Sequence, residues 1–219
     1  TVNFQVYGNM EPQKAATEAV RETEGQILCQ DGEAVEAYYF STSAGVTSTD
    51  EIWGSDEAAP YLRSVPCKFD EEEPWSSWIV ELPWKMLEDR IREKGKGTVL
   101  RSVTVTRRSE SGAATALEAV SDKDSCIIEN EYEIRKFLAP VNCMITEKDG
   151  TETTGGSLLP SAYFELERTQ NGNLQVRGKG YGHGVGMSQT GADKMAEQGY
   201  DYREILDYFF RNITVENLG

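Results

Sequence analysis

Gly180-Tyr181-Gly182-His183-Gly184-Val185-Gly186-Met187-Ser188-Gln189-Thr190-Gly191-Ala192 follows a strand-like run and leads into a helix-like one. Glycine stands at every second position from Gly180 to Gly186, and the only histidine of the 219-residue chain sits among them. Glycine lacks a Cβ, so it allows positive φ and close approach of backbone to a neighbour or ligand. A lone imidazole has an ordinary pKa of about 6.5, so modest surroundings move it to either side of neutrality. Two readings stay open on spacing alone: a binding loop built around His183, and a glycine-rich turn with an incidental histidine.

Upstream, Leu174–Lys179 and Tyr163–Arg168 flank Asn171-Gly172, a hairpin signal, so the second strand of a hairpin delivers the chain into the His183 loop. Downstream, Ser188–Gln198 reads as a helix stopped by Gly199, and Tyr202–Arg211 as a second helix. Ile213-Thr214-Val215 reads as an edge strand. Toward the N-terminus, Pro12–Glu24 has a helical apolar edge, and Asp31-Gly32 joins two β-prone runs, Gln26–Cys29 and Ala34–Phe40. Thr1–Tyr7 is strand-like.

The second of those runs enters Ser41-Thr42-Ser43-Ala44-Gly45-Val46-Thr47-Ser48-Thr49-Asp50, a loop dense in hydroxyls of the kind that sugar and amide recognition needs. Local Ser/Thr bonds that merely shape a loop are the plain alternative. Trp53 and Tyr61 carry apolar faces with polar tips, suited to sugar stacking or to a core. The acidic run Asp70-Glu71-Glu72-Glu73 reads as a solvated loop.

Trp78–Leu82 and Val99–Val105 read as strands around a helix with Trp84, Leu87 and Ile91 on one face. Ser109–Gly112 turns the chain into Thr115–Val120, Glu131–Leu138 reads as a short helix, and Val141–Thr146 as a strand. Asp149–Ser157 reads as an exposed polar loop. Strands outnumber helices and hairpin signals dominate, so the fold class is α+β, with mainly antiparallel, curled sheets and a few short helices around a groove. No internal boundary shows, so residues 1–219 are read as a single domain.

The net charge of −15 argues against nucleic acid, which needs a basic footprint, and suits a neutral or cationic ligand such as a sugar polymer. With 38% hydrophobic and 27% charged residues the composition is that of a globular domain, and no apolar run reaches membrane-spanning length. Cys29, Cys67, Cys126 and Cys143 form no Cys-x-x-Cys pair, so a Cys/His zinc site would have to collect nearly all of them from distant positions, and no metal is expected. Free thiols are the favoured reading, with Cys126–Cys143 the first pairing to consider in an extracytoplasmic setting.

With these residues in view, the sequence resembles the stage II sporulation protein D (SpoIID) family, which includes LytB-type amidase enhancers. Gly182–Gln189 with Gly191-Ala192 is similar to the family's C-terminal signature. Tyr39–Gly45 with Thr47, then Trp53-Gly54, then Tyr61–Pro66, is similar to its central signature, in order. Ala19-Val20, Thr23 and Gly25-Gln26 match the lead-in. The resemblance implies a lytic transglycosylase that cleaves peptidoglycan between N-acetylmuramic acid and N-acetylglucosamine. One acidic group protonates the glycosidic oxygen, then takes the C6 hydroxyl proton as the 1,6-anhydro ring closes. The family's glutamate lies in a Ser-Glu-Met-Pro-like segment with no counterpart here, so the chain is expected to lack the N-terminal segment that carries it, and Glu11 is not assigned the role.

The resemblance thus assigns supporting roles to His183 and Ser43, with His183 contacting substrate or that glutamate. It assigns glycan contact to Ser41, Thr42, Tyr61, Tyr181, Gly182, Gly184, Ser188 and Gln189. Some relatives carry a zinc site of His and Cys near the missing segment, but this sequence offers no matching cluster, so no cofactor is expected. The resemblance implies peptidoglycan strands as ligand, other engulfment hydrolases as partners and an extracytoplasmic location. A non-catalytic glycan-binding or amidase-enhancing module is the second reading, and a hydrolase using Ser43 with His183 ranks last, lacking an elbow motif.

Overall fold

The computed structural model describes residues 11–218; the strand-like Thr1–Tyr7 falls outside them. In chain order the regular elements are α1 (Lys14–Glu22), β1 (Gln26–Gln30), β2 (Glu33–Ala34), β3 (Tyr39–Phe40), β4 (Trp78–Leu82), α2 (Trp84–Glu93), β5 (Leu100–Arg108), β6 (Ala114–Ser121), β7 (Ser125–Glu129) and α3 (Glu131–Phe137). They continue with β8 (Met144–Glu147), β9 (Glu152–Thr154), β10 (Phe164–Arg168), β11 (Leu174–Gly178), β12 (Met187–Ser188), α4 (Gln189–Glu197), α5 (Tyr202–Phe209) and β13 (Thr214–Asn217). The fold class is α+β with mainly antiparallel sheets, as the hairpin signals indicate.

The described residues divide into two compact units, 11–36 with 213–218 and 37–212. In the smaller one, β1 pairs antiparallel with both β2 and β13. The Asp31-Gly32 turn forms with positive φ at both residues. The strand expected over Ala34–Phe40 splits: β2 holds only Glu33–Ala34, and Tyr39–Phe40 pairs with a different partner.

The larger unit carries the core. A five-stranded sheet, ordered β10-β11-β4-β8-β9, packs with the three-stranded β5-β6-β7 sheet, α2 and α3 around one apolar cluster. The alternation that a half-buried strand requires is plain in β4, where Trp78, Val80 and Leu82 are buried, and in β11, where Leu174, Val176 and Gly178 are. α2 turns Leu87 and Ile91, four residues apart, into the same core.

Two sequence expectations give way here. Asp149–Ser157 is not all loop: β9 turns back through Lys148–Thr151 and pairs with β8. β7, which the sequence reading lacks, pairs with β6 through Ala116↔Glu129 and beyond; only Ile128 of its apolar residues is buried, so alternation over so short a run is faint. All four cysteines are free thiols.

Candidate functional site: two loops locked face to face

β11 hands the chain to the glycine loop, and Trp78 of β4 fixes the handover. Its ring lies across Gly178, where a Cβ would come within 2.0 Å of it, and its indole N–H donates to the Gly180 carbonyl at 2.8 Å. From there the loop runs alongside the hydroxyl-rich bend. Thr42 and Tyr181 exchange both backbone hydrogen bonds, at 3.1 and 2.8 Å. Further on, β12 pairs parallel with β3 through Met187↔Tyr39 and Ser188↔Phe40, and Ser48 N–H donates to Gly184 O at 2.6 Å. The two segments singled out by the sequence are one surface.

The glycines are explained by this pairing. A Cβ on Gly182 (φ +116°) would meet the Phe40 Cβ at 2.7 Å, and one on Gly184 (φ +87°) would meet the Tyr163 ring at 2.9 Å. A Cβ on Gly186 (φ +79°) would meet the Tyr38 carbonyl at 2.1 Å. What their missing side chains admit is this protein's own backbone and rings.

Beneath the junction lies Asp70, 1% exposed. Its Oδ1 accepts from Ser43 Oγ at 2.6 Å, and its Oδ2 accepts from Ser43 N–H at 2.8 Å, Ser188 Oγ at 2.6 Å and Thr190 Oγ1 at 3.3 Å. The expectation that Asp70–Glu73 is a solvated loop is corrected at its first member: Glu71 and Glu72 are exposed, whereas Asp70 is sealed. A buried carboxylate is tolerable only when its oxygens are satisfied, and the hydroxyls of both loops satisfy this one. Ser188 also caps α4, accepting from Gly191 N–H at 3.2 Å. The nearby Cys67 thiol is pushed up to about 12, by burial and then by the Asp70 charge, which leaves it unreactive at neutral pH.

His183 lies between aromatic rings, with Trp53 at 5.2 Å and Phe40 at 5.8 Å between centroids. Its Nδ1 accepts from Val185 N–H at 3.0 Å, and the ring also hydrogen-bonds to the Tyr39 backbone. Nδ1 is thereby the acceptor and Nε2 carries the proton. Burial first, and the Arg135 charge second, lower the pKa to about 4 against the lift from Tyr39. Arg135 is itself buried, paired with Glu131 and donating to Leu159 O at 2.8 Å. His183 is therefore neutral at pH 7.

The other sequence candidates divide by exposure. Thr42, Ser43 and Ser188 are buried, and Ser41 is half-buried with its carbonyl accepting from Thr190 N–H at 3.0 Å. Tyr181 is exposed and meets the Trp75 ring edge-on at 4.6 Å; Gln189 is exposed in the first turn of α4. Tyr61 packs beside Phe210, whose ring a Cβ on Gly186 would meet at 3.2 Å. The Ser43 hydroxyl is directed to Asp70 and Cys67 O, so it forms no nucleophile pair with His183.

Four hollows follow the bend from Ser43 to Gly54 and share walls. The first, about 320 Å³, includes Ser43, Gly45 and Lys179; the next, about 300 Å³, shares Ala44 and Lys179 with it. A third, about 610 Å³, shares Val46 and Ser111, and the last, about 480 Å³, shares Glu51, Ser109 and Glu110 and reaches Trp53. Along the middle a chain of hydroxyls runs from Ser48 through Ser111 to Tyr163, at 2.9 and 3.1 Å. The result is a row of adjoining hollows whose walls mix hydroxyls, charged side chains and apolar surface. Among the described residues no cluster of three or more His, Cys, Asp or Glu could hold a metal ion, and no helix is long and apolar enough to cross a membrane.

A family profile described as a domain of unknown function (DUF8618) matches residues 64–186, more than half of the chain. Stage II sporulation protein D of Bacillus amyloliquefaciens is 30% identical over 202 residues, 92% of this chain and 51% of that protein. The Bacillus subtilis protein of the same name is 29% identical over 92% of this chain and 51% of its own length. The amidase enhancer of Bacillus subtilis is 24% identical over 98% of this chain and 34% of that protein. The chain thus spans about half the length, or less, of these curated relatives.

Proposed function

This chain belongs to the DUF8618 family and to the stage II sporulation protein D family, and on that premise we propose that its groove binds peptidoglycan glycan strands for cleavage of the lytic transglycosylase type. The role is cell-wall remodelling in sporulation, outside the cytoplasm, alongside other engulfment hydrolases. The observation that carries the reading is the row of hollows along the bend from Ser43 to Gly54, a bend that the His183 loop holds by backbone pairing although residues 180–192 line none of these four hollows. A linear polymer needs a groove of this shape, and sugar rings need hydroxyls interleaved with apolar surface.

The bond broken would be the β-1,4 link from N-acetylmuramic acid to N-acetylglucosamine. The proton carrier must switch between acid and base near neutral pH. Neither polar group at the junction suits that: the half-buried His183 is neutral with its nitrogens engaged, and Asp70 is sealed under Ser43 and Ser188. Their proposed work is positional. Asp70 ties the two loops, and His183 packs between Phe40 and Trp53, the latter lining the last hollow. In this reading the acid comes from a glutamate of the family's Ser-Glu-Met-Pro-like segment.

The same observation favours a second reading, a glycan-holding module that raises the activity of a separate amidase. Incubation with purified sacculi separates the two. Release of 1,6-anhydro-muropeptides, read by mass spectrometry, is expected from a chain carrying that glutamate and not from its Glu→Gln form. Release that occurs only after an amidase is added, without anhydro products, overturns the transglycosylase reading and leaves the enhancer.

A further inference from the structure

The second hollow of the groove differs from the other three in charge. Arg108, Arg177 and Lys179 line it and face a single carboxylate, Glu165. In the other three hollows carboxylates equal or outnumber cations, and the chain as a whole carries −15. The cations are also of two kinds. Arg108 is fully committed: it donates to Gly112 O, Phe164 O and Glu165, at 3.0, 2.8 and 3.0 Å. Arg177 and Lys179 are exposed, on the solvent face of β11 and its continuation, and no side-chain bond or ion pair holds either of them among the described residues. Two positions apart on an extended strand, their stems leave the backbone about 7 Å from each other.

From this local excess we infer that the hollow between Arg177, Lys179 and the Ser111-Gly112 turn receives a carboxylate carried by the wall glycan, a deepening that rests on the proposed glycan groove. A planar carboxylate matches the guanidinium fork, and an ammonium beside it adds a second charged donor. Ser111, held by Ser48 and Tyr163, supplies a fixed hydroxyl at the rim. A long polyanion fits poorly, because the strongly acidic surface beyond the hollow repels charge that a discrete carboxylate does not bring. Two parts of peptidoglycan carry that chemistry: the lactyl group of muramic acid once its peptide is gone, and the carboxylates of the stem peptide.

Calorimetric titration with three probes tests the inference: neutral chitotetraose, a peptide-free glucosaminyl-muramyl tetrasaccharide, and the same tetrasaccharide bearing stem peptides. At least one carboxylate-bearing probe binds roughly tenfold more tightly than chitotetraose at low salt, and that ratio falls to about one in the double variant R177Q/K179Q. Whichever carboxylate-bearing probe shows the gain identifies the source. Both side chains are exposed and hold no side-chain partner among the described residues, so the variant keeps the wild-type melting temperature, which a thermal scan verifies. Equal affinity for the three probes, or an advantage that survives R177Q/K179Q, overturns this inference and leaves the groove reading standing. Binding of none of them overturns both.

Discussion

His183 is the one imidazole in the chain, which makes its state directly measurable. Burial favours its uncharged form, the Arg135 charge adds to that, and a pKa of about 4 follows. The consequence for stability has a definite sign. The folded pKa lies below the ordinary 6.5, so the unfolded chain takes up the proton first as pH falls. The contribution is complete above pH 6.5, declines between 6.5 and 4, and reaches a loss of about 3 kcal/mol below that window. The imidazole Hε1 resonance is expected to stay constant from pH 7.5 to 6 and to move with a midpoint near 4. A midpoint between 6 and 7 contradicts the half-buried, doubly held ring. Unfolding free energies measured across the same range should fall more steeply for the wild type than for H183Q, since carboxylate effects are common to both.

Asp70 acts between elements. It joins the bend after β3 to the cap of α4, and each loop supplies hydroxyl donors that would otherwise need water. In D70N the charge is gone and an NH₂ group faces hydroxyls and an N–H, so donors oppose donors. The expected loss of unfolding free energy is about 2–4 kcal/mol, from weakened charged hydrogen bonds and stranded buried hydroxyls. The neighbouring E71Q, at an exposed site, should stay within about 0.5 kcal/mol of wild type. Urea titrations of the two variants decide the matter; equal stability of D70N and E71Q would mean that the carboxylate does not hold the loops together.

Across the whole molecule, the elements that were legible in sequence are those whose pattern is local. Trp78–Leu82, the Asn171-Gly172 hairpin and the capped start of α4 each carry their own period or turn chemistry. The partnership of the bend and the glycine loop was visible only as motifs, because about 140 residues separate Thr42 from Tyr181 and nothing local records the pairing. Asp70 was hidden by company: three glutamates follow it, and a run of like charges reads as solvent-facing. The purpose of the glycines was hidden too, since a sequence does not say whether the close neighbour is a ligand or, as with Phe40 and Tyr163, the protein itself. The central claim concerns the assembled groove, and amide chemical-shift mapping during titration with a soluble peptidoglycan tetrasaccharide tests it most directly. The account predicts saturable shifts along Ala44–Ser48, Ser109–Gly112 and Lys179–Tyr181, with the amides of α2 unmoved. Shifts confined to α2 or to β8 and β9, or no shifts at millimolar sugar, would contradict it.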